Sequence, residues 1–215
     1  VGVDAEGRIR ELVGVLEGLH WAEDEGSASG AGQVRMVHAS YARLSPKHEL
    51  AAWVRHVAGC AAGVPLLDTL VLGRGDDDGV LVRRFAALPV ERARELLTDL
   101  VELYLAGLGA PLPFFPALSR TCAERLRKAK AGDDAERIVS ALERDLQDPN
   151  PWNGAEGADL HVSWVFRGRR PLRETISSGQ EGVSLGFTEL SRRVYDPLLD
   201  GADELAPDAV EGQGP

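Results

Sequence analysis

Residues 41–63 read YARLSPKHELAAWVRHVAGCAAG, and this stretch decides the fold. Ser45 is a preferred N-cap, because its hydroxyl can accept a bond from an otherwise unpaired amide of the first turn. Pro46 takes the first helical position, where the N–H it lacks would have had no partner. Leu50, Trp53, Val54, Val57 and Ala61 follow at the three-and-four spacing of one apolar helix face. Gly63 is placed to stop the helix. One strand-like run, Val34–Tyr41 (VRMVHASY), leads in, and a second, Leu67–Leu72 (LDTLVL), leads out. Strand, buried helix and strand make a crossover unit, which joins parallel strands.

Working outward, Ile9–Trp21 (IRELVGVLEGLHW) fits two patterns. Ile9, Leu12, Val13, Leu16 and Leu19 suit an amphipathic helix. Gly14 and Gly18 oppose it, each costing roughly 1 kcal/mol relative to Ala; in a strand they would mark a close backbone approach. A polar Gly/Ser-rich loop over 22–32 then leads into Val34–Tyr41. Strand, loop and strand read as a hairpin, so the strand is expected. Little precedes it, and with Val1 in first place the chain reads as a fragment of something longer.

Beyond the central helix, Leu67–Leu72 and Val80–Phe85 are short strands joined by Gly73–Gly79 (GRGDDDG), which is turn chemistry. Asp76, Asp77 and Asp78 read as a solvated tip rather than a metal site, because neighbours on a turn seldom converge on one ion. Pro89 opens a long helix with Leu96, Leu97, Leu100, Val101, Tyr104 and Leu105 on its core face; Gly107 and Gly109 end it. Ala110–Pro116 (APLPFFP) is a stiff connector, since each proline fixes its own φ. Helices are expected at 117–131 and 134–147. The first carries Arg120, Arg125, Arg127, Lys128 and Lys130, the most basic run in the chain. A solvated face and a nucleic-acid contact fit it equally well. After the break at Asp148–Trp152, Asp159–Phe166 alternates like a strand, while Asp159 could equally cap a short helix. Arg167, Arg169, Arg170 and Arg173 form a second basic cluster. A last helix covers 186–199, with Phe187, Leu190, Val194 and Leu198 on one face. From Asp196 onward there are six acids and no Lys or Arg, and 206–215 is expected to be a disordered acidic tail.

At 215 residues, 44% hydrophobic and 27% charged, the chain is expected to form a packed, water-soluble body. A net charge of −10 argues against a chain that coats nucleic acid by itself, while leaving room for one basic face. The two cysteines, Cys60 and Cys122, both fall in expected helices and suggest neither a disulfide framework nor a zinc site, so the cytoplasm is the expected compartment. No apolar run reaches the roughly 18 residues of a membrane span, and no signal peptide is visible. His20, His38, His48, His56 and His161 are scattered without metal-ligand spacing. No P-loop or G-x-S-x-G elbow is present. Trp53 and Trp164 are the candidate base-stacking side chains; Trp53 lies on the apolar helix face, where core packing is the better reading.

Four phrases then fall in order: RLSPKHELAAWVRHVA (43–58), LYLAGLGAPLPFFP (103–116), WNGAEGADLHVSWVFRG (152–168) and LSRRVYDPLLDGADEL (190–205). In these the chain resembles the RecC C-terminal domain family, the end of the gamma subunit of exodeoxyribonuclease V in the bacterial RecBCD helicase–nuclease, over roughly residues 10–205. The resemblance implies an α/β, PD-(D/E)xK restriction-endonuclease-like core with a small mixed sheet over 9–110. A helical extension of the same domain would follow over 111–205. An active member of that fold needs an acid in a G-x-x-D context on one strand, and an acid, one residue and a lysine on the next. The acids hold Mg²⁺, which activates water and stabilises the phosphoryl transition state. Here Gly14-Val-Leu-Glu17 offers Glu17 for the first position, but His38 stands at the second acid and Ser40 at the lysine. Neutral His and Ser do not supply the charge that makes an oxygen site suit Mg²⁺.

The expectation is therefore a catalytically silent scaffold without a cofactor of its own, Mg²⁺ and ATP being used by partner subunits. The resemblance implies RecB and RecD as partners, RecD docking as one role, and guidance of duplex ends and single strands as another. Arg43 and Lys47 are the leading contact residues; Arg120, Arg125, Arg127, Lys128, Lys130, Arg167, Arg169, Arg170 and Arg173 are weaker candidates for phosphate. Surface solvation or local capping explains all of them about as well. The rival readings are an active Mg²⁺-dependent nuclease of the same fold and a protein-binding module unrelated to DNA repair.

Overall fold

In the computed structural model, which describes residues 1–5, 7–22, 32–75, 79–129, 135–147, 156–177 and 184–205, the chain opens with a hairpin. Strands β1 (Gly2–Ala5) and β2 (Arg8–Glu11) pair antiparallel around Gly7, whose φ of 68° is the left-handed turn conformation. Val3 and Ala5 point inward and are buried. The Val1 amino group donates to the Leu12 carbonyl at 2.9 Å, closing the hairpin's base.

The expected strand at 9–21 is thus divided. Its first residues belong to β2, residues 12–18 are irregular, and only Leu19–Trp21 (β3) joins the main sheet. Gly18 explains the break. It sits at φ 72°, its carbonyl accepts the Val37 amide at 2.8 Å, and a Cβ there would lie 2.3 Å from the Val37 carbonyl oxygen. The close approach expected of the glycines holds for Gly18, whereas Gly14 has open space around it.

Strand β3 pairs antiparallel with β4 (Val34–Arg43), so the expected hairpin is present. Helix α1 (Pro46–Ala61) then crosses to β5 (Leu66–Arg74), and β4 and β5 run parallel. Strand β6 (Val80–Ala86) returns antiparallel to β5. Ser45 is the extended N-cap of α1; its N–H donates to His48 Nδ1 at 3.4 Å, and its hydroxyl lies 3.0 Å from the same nitrogen. At the other end Gly63 sits at φ 76°. The Val64 and Gly63 amides reach back to the Gly59 and Cys60 carbonyls at 3.1 and 3.0 Å, a Schellman stop.

The buried side of α1 differs from the apolar face expected. Val54 is 38% exposed, while Glu49, Ala52, Trp53, His56, Val57 and Cys60 are buried. The sheet makes this possible by supplying polar partners. His56 Nδ1 lies 2.9 Å from Thr69 Oγ1 on β5, and Glu49 faces Arg83 of β6 at 3.6 Å. Burial pushes the His56 pKa down to about 4, against bonding and charge from Ala86 and Asp68 that raise it. The unfolded chain therefore binds that proton first as pH falls. Stability from neutral His56 is complete above about pH 6.5 and declines toward pH 4, a loss approaching about 3 kcal/mol. Replacing His56 with Gln should flatten this slope by nearly one proton in urea midpoints measured between pH 7 and 4.5. An unchanged slope would refute the assignment.

Helix α2 (Val90–Gly109) has Ala93, Leu97 and Leu103 buried, with Tyr104 66% exposed rather than on the core face. Two compact units are distinguishable, Val1–Glu102 with Asp200–Pro215, and Leu103–Leu199. In the second, α3 (Pro116–Lys128) and α4 (Ala135–Gln147) pack around Phe115, Cys122, Val139, Leu142, Leu146, Leu172 and Phe187. Segment 159–166 resolves as helix: Asp159 accepts from the His161 and Val162 amides at 2.8 and 3.2 Å and caps α5 (Leu160–Val165). A small hairpin, β7 (Thr175–Ser177) with β8 (Ser184–Gly186), precedes α6 (Phe187–Gly201). Phe187, Leu190, Val194 and Leu198 of α6 are buried as the sequence predicts.

The stretch Ala202–Leu205, read from sequence as part of the helical extension, is instead strand β9. It pairs antiparallel with β6 and completes a five-stranded mixed sheet in the order β3-β4-β5-β6-β9. Arg83–Glu204 at 2.7 Å and Arg84–Asp203 at 3.7 Å hold it there. Asp76–Asp78, Lys130, Asp148–Trp152 and the expected tail at 206–215 lie outside the described residues. No helix among the described residues is long and apolar enough to cross a membrane.

Candidate functional site

The positions at which catalysis would be sought lie along β4 and beside it. Glu17 is exposed on the irregular segment before Gly18, not on a strand. The Val37 amide to Gly18 carbonyl bond ties that segment to β4, so Glu17 and His38 each adjoin one end of the same bond. His38 is half-buried, and its Nε2 has no hydrogen-bond partner among the described residues. Burial first, and the Arg55 charge second, push its pKa down, so the ring is neutral at pH 7. The Ser40 hydroxyl accepts the Ala42 amide at 3.2 Å, a local turn bond. Among the described residues no group of three or more His, Cys, Asp or Glu side chains could hold a metal ion.

Past His38 the same strand carries a basic rim. Arg43 stands opposite Arg74 in the parallel register, and Lys47 is exposed in the first turn of α1. The Arg74 guanidinium lies over the Tyr41 ring, 5.8 Å from its centroid, and Tyr41 is 90% exposed. Open α/β sheets bind ligands outside the carboxyl ends of their parallel strands, and that is where Arg43, Arg74, Tyr41 and Lys47 sit. Sequence reasoning singled out Arg43 and Lys47 but not Arg74 and Tyr41, which the structure places at the same end of the sheet. The missed signal was the parallel register itself, which places the ends of Val34–Arg43 and Leu66–Arg74 side by side.

The two other basic clusters lie in the second unit. In α3, Arg120 pairs with Glu124 at 2.9 Å and Arg127 donates to the Asp196 carbonyl at 3.3 Å, while Arg125 and Lys128 are exposed. The 167–173 cluster is largely turned toward acids of its own unit. Arg170 grips Glu143 through two bonds, 2.8 and 2.6 Å long, and Arg173 reaches Glu143 at 3.0 Å and also Glu136. Arg169 pairs with Glu174. The Arg170 bond first, with help from Arg173, pulls the Glu143 pKa down despite its burial. Glu143 thus remains a carboxylate that clamps the 170–173 turn onto α4. Arg167 is exposed and its side chain has no ion pair among the described residues.

A family model described as the RecC C-terminal domain matches residues 1–127, more than half of the 215. The chain belongs to the RecC C-terminal domain family. The RecC match takes in the whole β4–α1–β5 crossover and its basic rim and stops within α3, before the 167–173 cluster. The RecBCD enzyme subunit RecC of Mycobacterium tuberculosis strain H37Rv is 29% identical over 183 residues, and that of Mycolicibacterium smegmatis is 31% identical over 168. Each comparison covers 77% of this chain but 15% of the relative, so the chain spans only a small part of the length of these RecC subunits.

Proposed function

We propose that this chain is a non-catalytic, nuclease-like module of a RecBCD-type helicase–nuclease in DNA double-strand break repair. In this reading it supports subunit assembly, including RecD docking, and helps lead separated DNA strands away. Mg²⁺ and ATP chemistry then belong to the partner subunits. The observation that carries the proposal is the strand feeding α1: it offers neutral His38 and Ser40 where a PD-(D/E)xK nuclease needs an acid and a lysine. The strand–helix–strand order with a parallel β4–β5 pair is compatible with a core of that type. The basic rim of Arg43, Lys47 and Arg74 supplies the polar surface that a scaffold would present at this end of the sheet.

Two measurements test it. The purified chain with Mg²⁺ or Mn²⁺ should leave linear DNA intact; cleavage that disappears in Glu17→Ala would overturn the non-catalytic assignment. In the complete subunit, Arg43→Glu with Lys47→Glu should lower the RecD recovered with the assembled enzyme by at least about fivefold, consistent with loss of close charge pairs at an interface. Full recovery of RecD would overturn docking through this rim.

A further inference from the structure

Helix α5 presents two faces. Val162 and Phe166 pack onto the core around Phe115 and Leu172. On the opposite side Leu160 and Trp164, four residues apart, are 82% and 79% exposed. Asp159 fixes the first turn of the helix, and Gly168 at φ 72° ends the chain's turn after it. The Trp164 ring is therefore held out from a rigid base. It lines an open groove of about 520 Å³ with Leu160, His161, Ser163 and Arg167. Among the described residues no acid lines this groove. The contrast with neighbouring arginines is informative: Arg169, Arg170 and Arg173 are bound to Glu174, Glu143 and Glu136, whereas Arg167 beside Trp164 carries no ion pair among the described residues.

From this arrangement we infer that the Trp164 groove binds single-stranded DNA, one base stacking on the Trp164 ring and the adjoining phosphate meeting Arg167. An exposed indole accepts any base on its π face, and an unopposed guanidinium at its edge gives the backbone a counter-charge. Among the described residues the lining holds one arginine and no acid, so in a chain of net charge −10 the groove's own side chains do not repel a phosphate. His161 adds a ring N–H donor to the lining. Leu160 flanks the ring with an apolar edge against which a sugar can lie. A protein partner would also find Trp and Arg here, but a phosphate chain makes fuller use of an Arg167 unpaired among the described residues, beside the Trp164 ring. This inference names a surface for the strand-leading role and so rests on the function proposed above.

The test uses the full 215-residue chain and a fluorescein-labelled oligothymidylate of fifteen nucleotides, read by anisotropy. Trp164→Ala should weaken binding about tenfold or more, and Trp164→Phe, which keeps a ring, should recover most of it. Arg167→Ala should weaken binding and reduce the slope of log K against log salt by roughly 0.7, one phosphate on a single strand. An oligomer with abasic sites throughout should bind the wild type and Trp164→Ala alike. No binding by the wild type overturns the inference, as does equal binding by Trp164→Ala. So does a Trp164→Ala chain that keeps the oligonucleotide yet no longer joins the RecB and RecD assembly, which would make the groove a protein contact. Because Trp164 is almost fully outside the core, near-ultraviolet and melting data should show these variants folded. Normal assembly with no oligonucleotide binding would sink this inference alone and leave the scaffold reading in place.

Discussion

Trp53→Ala is expected to destabilise the chain by about 3–5 kcal/mol, the range for removing a buried aromatic and leaving a cavity. Trp53 is 2% exposed. Its ring stacks on His56 at 5.5 Å and meets the edge of Phe85 at 5.2 Å, so truncation strips two aromatic contacts as well as apolar area. It also lies under the start of β9: a Cβ on Gly201 would come within 3.2 Å of the Trp53 ring. The loss should therefore spread to the strand that closes the sheet, and amides of Ala202–Leu205 should exchange faster in Trp53→Ala than in wild type. Trp53→Phe should cost much less, because most of the volume and both ring contacts survive. A urea-melt loss under about 1 kcal/mol for the alanine variant would mean that α1 is not the core element the fold requires.

What the sequence made legible was local. Ser45, Pro46 and Gly63 fix the two ends of α1 through their own backbone preferences, and the flanking β-rich runs could only be strands, so the crossover followed. The elements that escaped depend on partners distant in sequence. Ala202–Leu205 is short and acidic, and it becomes β9 because Arg83 and Arg84 of β6 meet Glu204 and Asp203. Glu49 and His56 are not among the residues of the apolar face expected of α1. They lie inside because Arg83 and Thr69 answer them from the sheet. The hairpin at 2–11 has only Val3 and Ala5 facing inward and Ile9 85% exposed, too little alternation to read as two strands.

The same division runs through the candidate contact residues. Counting arginines exposed the 167–173 cluster, but charge pairing is a property of folded distance. Glu136 and Glu143 come from α4, well upstream, and they occupy Arg170 and Arg173. Glu156 behaves likewise: its carboxylate accepts the Ala117 and Leu118 amides at 2.9 and 3.0 Å and closes the start of α3 from 38 residues away. Burial raises the Glu156 pKa, and the two amide bonds oppose that rise. No local pattern at Phe115–Ser119 announces such a partner. Trp164 could be singled out from sequence as a stacking side chain, yet only the inward packing of Val162 and Phe166 shows that its ring faces out.

Arg35→Met should cost about 3–5 kcal/mol, because it strands a carboxylate that folding has taken out of water. Arg35 and Asp68 stand opposite one another on the parallel strands β4 and β5, joined through bonds of 2.6 and 2.9 Å. The Asp68 side chain is 5% exposed and that of Arg35 is 22% exposed. The inequality sets the order of the effects: Arg35 reaches water in part, so Asp68→Leu should be the milder single change. The double variant Arg35→Met with Asp68→Leu should lie closer to wild type than Arg35→Met alone, since both desolvation costs vanish together. Simple additivity in the urea-melt cycle would show the pair to be uncoupled. The pair's position explains why a chain would keep two charges there. The register of β4 on β5 shifts between Val34 and Arg35, and a one-residue slip would turn every buried side chain of a strand to the wrong face. A two-pronged ion pair just past the shift is satisfied in one register only. The double variant, though nearly as stable, should therefore show faster amide exchange along β4 than wild type, whereas equal exchange would leave register to the apolar residues alone.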